Sequence, residues 1–131
     1  MINITDERRK ILGGTYPSRV IAGRQNKHIE GTREFEQANN KRVQDGRGGK
    51  QSALCPDINV QNLVDRYKGT GRIRISNGSQ YPREAIDFEY IVGKTWVAKL
   101  SKYVDTKRIE IIYSSAGTHI IPVSDYSKEV I

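Results

Sequence analysis

The hydrophobic period of this chain changes once, at Gly71, and that change limits the folds open to it. Before it, apolar residues recur at helical spacing. Val60, Leu63, Val64 and Tyr67 fall at i, i+3, i+4 and i+7, so residues 58–68 read as a helix with one continuous apolar face. Pro56 and Asp57 start it, Lys68 suits its negative end and Gly69 stops it. After Gly71 the period is two. Arg72-Ile73-Arg74-Ile75-Ser76 alternates polar and apolar, and segments 84–92, 95–104, 108–114 and 118–123 follow as strands. Turns at Asn77-Gly78, Gly93-Lys94, 105–107 and 115–117 separate them. Helices first and an antiparallel meander of about five strands afterwards is a segregated α+β layout. Such a sheet packs one face on helices and offers the other to a ligand.

Two shorter helices precede that change. Thr5 caps the first, with Asp6 and Glu7 in its opening turn and Gly13-Gly14 at its end. Thr32 caps residues 33–45, a surface helix with the thin apolar face of Phe35, Ala38 and Val43. Between them, 20–22 begin a short strand that Gly23 breaks, and GRQNKHIEGT reads as a polar, basic loop. Pro122 marks an edge strand or a strand end. The expected division is a junction helix at 1–15, a domain at 16–124 and a frayed tail at 125–131.

Composition narrows the class. The length fits one domain. A single cysteine, Cys55, forms no internal disulfide, and two distant histidines do not give metal-ligand spacing, so no metal and no cofactor are expected. No run is long and apolar enough to cross a membrane, and MINITDERRK lacks the apolar stretch of a secretory signal. The net charge is +7, and residues 1–50 hold 11 basic against 6 acidic side chains. A surface of that sign attracts polyanions, because phosphates release counterions on contact. The glycine-rich GRGGK at 46–50 is not a nucleotide loop: it lacks the G-x-x-x-x-G-K-[ST] spacing, and no strand leads into it.

The chemistry rests on His28, in the basic segment 24–32, and His119, behind Gly117-Thr118 at the head of the last strand. Metal-free RNA cleavage needs a base for the ribose 2′-OH, an acid for the leaving 5′-oxygen and cations for the phosphate. Histidine suits both proton roles. Flanked by Lys27, Thr32 and Thr118, the two form a sufficient kit once the fold joins the segments. Each has an ordinary alternative, a solvated loop residue for His28 and a half-exposed strand residue for His119. Trp96 is expected in the core. Tyr113, beside the turn at Ser114, is the aromatic residue placed to stack on a base.

Four stretches carry a resemblance. NKHIEGT at 26–32, SSAGTHIIP at 114–122, NLVDRYKGTG at 62–71 and REAIDFEYIVG at 83–93 resemble the polymorphic toxin type 50 domain, over about residues 20–124. The resemblance implies membership in the BECR superfamily of ribonucleases (barnase, EndoU, colicin and RelE-like). It implies N-terminal helices on a curved antiparallel sheet of four to five strands, and metal-independent RNA cleavage. Lys27, His28, Thr118 and His119 are the matching catalytic positions. Arg83 matches more loosely and joins Thr32, Tyr113, Ser114 and Arg72 as RNA-binding candidates. Such domains end large secreted toxins and phage minor head proteins. The implied partners are RNA, with tRNA one candidate, and a cognate immunity protein. The expected agent is a monomer acting in a target cell's cytoplasm without a membrane partner. The competing reading is a non-catalytic, phage-associated module that binds nucleic acid through charge alone.

Overall fold

A computed structural model describes residues 3–75 and 78–125. The turn expected at Asn77 and the tail at 126–131 lie outside the described residues. Four α-helices and two antiparallel sheets, of three and four strands, form an α+β fold with no closed barrel among the described residues.

Helix α1 (Ile4–Leu12) is capped by Asn3, not Thr5: the Asn3 carboxamide accepts from the amides of Thr5 and Asp6. It is tied to the body of the protein. Ile11 is buried, the Arg8 guanidinium donates to the carbonyls of Gly69 and Gly71, and Leu12 packs on Gly69. Ala22, expected in a short strand, and residues 23–28, expected as loop, instead form helix α2 (Ala22–Gln25) and a 3₁₀ turn (Asn26–His28). Segment 19–21 makes no strand of its own. It pairs in parallel through Val20 with Thr118. Helix α3 (Arg33–Gln44) begins at the Thr32 cap as the sequence predicts. Helix α4 (Val60–Tyr67) starts later than Pro56-Asp57 because Asn59 caps it, accepting from the Asn62 amide.

The four-stranded sheet has the order β2 (Arg72–Arg74), β3 (Arg83–Asp87), β6 (Arg108–Tyr113), β7 (Thr118–Val123). One face carries the cross-strand row Ile73, Glu84, Ile111, Ile120, all buried beneath α1 and α4. Glu84 survives there because its carboxylate accepts three hydrogen bonds: from the amides of Gly69 (2.8 Å) and Gly71 (2.7 Å) and from the Tyr113 hydroxyl (2.6 Å). The opposite face carries the row Arg74, Arg83, Ile112, His119.

The expected single meander divides into two sheets. The strand read over 84–92 stops at Asp87, and the chain crosses to a second sheet of β1 (Ala53–Leu54), β4 (Gly93–Val97) and β5 (Lys102–Thr106). Gly93 is therefore not a turn. A Cβ there would lie 2.6 Å from the Ala53 carbonyl and 2.9 Å from Pro122, so only glycine permits the close approach. Strand 95–104 folds into a hairpin at exposed residues 98–101, where Ser101 takes φ +51°. Thr106, expected in a turn, is buried, and its hydroxyl donates to the Val123 carbonyl (2.6 Å), joining the two sheets. Trp96 lies outside the core cluster, paired edge to face with Tyr103 on the second sheet.

Strand β7 is a sheet edge, as Pro122 implies, and its outer flank is occupied. Thr118 exchanges backbone hydrogen bonds with Arg19 and Ile21. The Gln25 carboxamide then behaves as a peptide group, donating to the Ile120 carbonyl (2.9 Å) and accepting from its amide (2.7 Å).

Candidate active site

His28 and His119 come together although 91 positions separate them. Their rings lie nearly parallel (15°), with centroids 6.5 Å apart. Each is set by local structure. The 3₁₀ turn that carries His28 is held from both sides: the Thr32 hydroxyl donates to the carbonyls of Asn26 and Ile29, and Gln25 fastens the preceding helix to β7. The Nδ1 of His28 stands 3.1 Å from the Ser52 carbonyl and 3.0 Å from its hydroxyl. Donation to the carbonyl fixes the proton on Nδ1 and leaves Nε2 as the free lone pair.

His119 is placed by alternation. Thr118 and Ile120 point into the core, so the residue between them faces outward. Gly117 makes this possible. It takes φ +148°, and a Cβ would lie 2.5 Å from the Arg19 carbonyl. The Gly-Thr-His sequence thus has one physical job per residue: close approach, edge pairing, and presentation of the ring. The Nδ1 of His119 is buried without a hydrogen-bond partner.

Both rings are held neutral at pH 7. Burial pushes His119 down to about 4, and the neighbouring His28, Arg24, Arg83 and Lys27 add to that effect. Burial also lowers His28, opposed by the Ser52 hydrogen bond and reinforced by Arg42 and Lys27. These cations repel an imidazolium and attract an anion. Beside His119 opens a cleft of about 350 Å³, lined by Arg24, Arg83, Tyr81, Ile112 and Ser114 among others. The Ser114 hydroxyl accepts from Arg24 (3.2 Å) and donates to the Gly117 carbonyl (2.8 Å). Arg83 reaches Glu110 at 3.5 Å, and Arg74 meets the same carboxylate at 2.9 Å.

The structure thus brings together His28, His119, Arg83 and Ser114. It gives the other sequence candidates different surroundings, although Tyr113 also borders that cleft and the charge of Lys27 reaches both rings. The Thr118 side chain is fully buried, its hydroxyl donating to the Ser18 carbonyl (3.2 Å). Thr32 is a helix cap. Tyr113 is buried beneath the opposite face of the sheet, with its hydroxyl on Glu84, so its ring has no open side for a base; burial, then Glu84, pushes its phenol well above the usual range. Arg72 pairs with Asp87 at 2.9 Å on the edge strand. Lys27 is exposed and lines a hollow beside α3 with Glu34 and Lys41. Sequence reasoning missed Arg24, Gln25 and Ser52. Arg24 and Gln25 sit next to the NKH motif and give no periodic signal. Ser52 lies 24 residues away from His28. Among the described residues no group of three or more histidine, cysteine or acidic side chains could hold a metal ion.

The family model described as bacterial toxin 50 matches residues 20–122, most of the chain. The match begins at Val20, the residue that pairs with Thr118, and ends at Pro122 on the edge strand, so both histidine segments fall within it. Comparison with curated proteins finds no match.

Proposed function

The chain belongs to the bacterial toxin 50 family, and from that premise we propose that it is an effector that cleaves RNA without a metal, using His28 and His119. The observation that carries the reading is the facing pair of imidazoles, 6.5 Å apart, beside a cleft lined by two arginines. His28 takes the proton of the ribose 2′-OH: Ser52 holds its Nδ1, and the Nε2 lone pair is free to accept. The 2′-oxygen attacks the phosphorus, and the P–O5′ bond breaks. On substrate binding His119 takes up a proton from solvent, and the imidazolium gives that proton to the leaving oxygen and returns to the neutral ring. In the free protein His119 is neutral. The negative charge of a bound phosphodiester offsets the surrounding cations and raises its pKa toward the working range. Arg24 and Arg83 meet the charge that grows on the phosphoryl oxygens. Thr118 and Thr32 act as positioning residues, and Lys27 adds to the attractive field.

Incubation with total cellular RNA tests this. We expect fragments ending in 2′,3′-cyclic phosphate, formed equally well in EDTA. His119→Ala should lower the cleavage rate by about 10²–10⁴-fold, the usual loss when a general acid or base is removed. RNA left intact, or turnover that EDTA abolishes, would overturn the mechanism.

A further inference from the structure

A second groove opens where the end of β7 meets the second sheet. It is an open trough of about 470 Å³. Its rim carries Arg42, Arg47 and Lys50, and no carboxylate is among the side chains lining it. Arg47 also meets Asp45 at 3.8 Å. Its wall is Trp96, the chain's one tryptophan, with the Lys50 ammonium 5.1 Å from the ring centroid. Tyr103 stands edge-on to the indole at 5.4 Å and fixes its plane. The loop beside it turns through Gly46, Gly48 and Gly49, all at φ near +70°, and Gly49 lies against the indole edge, where a Cβ would be 3.4 Å from Trp96 Cδ1.

Two residues join this groove to the histidines. Ser52, which holds His28, lines the groove. Val123 lines it too, and lies on the same face of β7 as His119. A partly exposed aromatic ring beside cations is the arrangement that takes single-stranded bases by stacking and their phosphates by charge.

We propose that this groove binds a single-stranded stretch of the RNA on one side of the cut, with a base stacked on Trp96 and its phosphates met by Arg42, Arg47 and Lys50. The inference rests on the ribonuclease reading for its substrate. It implies that the cleft at Arg24 and Arg83 holds the other side of the cut. The preferred substrate is therefore an unpaired segment several nucleotides long, and a duplex cannot splay a base onto the indole.

The sole tryptophan makes the test direct. A 2′-O-methyl oligoribonucleotide lacks the attacking hydroxyl, so it binds without being cut. Titrating it into the whole protein should quench Trp96 fluorescence saturably, and the same sequence as a duplex should not. Lys50→Ala with Arg47→Ala, on an exposed loop, should weaken that binding by tenfold or more. Trp96→Ala should lower kcat/KM about tenfold or more for an oligonucleotide spanning both grooves and leave a dinucleotide little changed. Trp96→Phe should restore much of the loss. Fluorescence that stays constant while anisotropy shows saturation would overturn the groove and leave the ribonuclease reading standing. Quenching without cleavage of an unmodified strand would do the reverse. Equal loss on dinucleotide and long substrate would assign Trp96 a structural role only and overturn the proposal.

Discussion

His119 has a ring whose Nδ1 lies buried and unpartnered while four positively charged or chargeable groups surround it. Its pKa is lowered to about 4 from an ordinary 6.5. The sign of the consequence follows from linkage. Between pH 6.5 and about 4 the unfolded chain binds a proton that the folded ring refuses. Stability is thus fully present above 6.5 and falls as pH drops through this window. His28, shifted in the same direction, adds to the loss. Urea unfolding midpoints should decline on acidification, and His119→Asn should flatten the decline. An unchanged slope in the variant would mean that the ring is not held neutral. The lowered pKa of His28, the proposed base, places the acid limb of kcat/KM below pH 6.5.

At the scale of elements, the site depends on how β7 is edged. Gln25 is 3% exposed and makes both of its hydrogen bonds to Ile120, one residue from His119. Gln25→Glu keeps an acceptor for the Ile120 amide and loses the donor for its carbonyl. We expect a loss of about 1–3 kcal/mol, the range for leaving a buried polar group unpaired, and a fall in activity as His28 shifts with the 3₁₀ turn. Gly117→Ala should destabilise by a similar or larger amount, since its Cβ would meet the Arg19 carbonyl. Thermal melts and activity on each variant check both. Helices α3 and α4 were legible in sequence because they carry caps and an apolar period, whereas α2, which has neither, was not. The split of the sheets was not. Alternation continues through 95–104, and only a tertiary contact, the Gly93 approach to Ala53 and Pro122, shows where the strand begins. In the site, the histidines were legible as the two chemically suitable residues in basic or small-residue segments. Thr118 and Tyr113 were misread for one reason: side-chain chemistry was visible, and the face of the strand it sits on was not. Ser52 carries no local signal at all, because its role is a contact made across 24 residues.

Across the whole molecule, a net charge of +7 attracts polyanions, and under the proposed function it governs how RNA is captured. Cations from three separate segments, at Arg24, at Arg42 to Lys50, and at Arg83, converge around two grooves. Affinity for a non-cleavable single strand should fall linearly on a log–log plot against salt, with a slope near −0.7 per phosphate contacted. A flat response would show that charge plays no part in capture. The two sheets that form the grooves are linked through Lys107, and the Thr106 hydroxyl on Val123 fastens the joint.

The closed flank of β7 has one more consequence. Its three outward ladder positions are Thr118, satisfied by Arg19 and Ile21, Ile120, satisfied by Gln25, and Pro122, which has no N–H to offer. A foreign strand therefore finds no template along this edge of β7. Copies of the chain cannot zip together there into fibres, and the margin beside His119 is kept from its own kind.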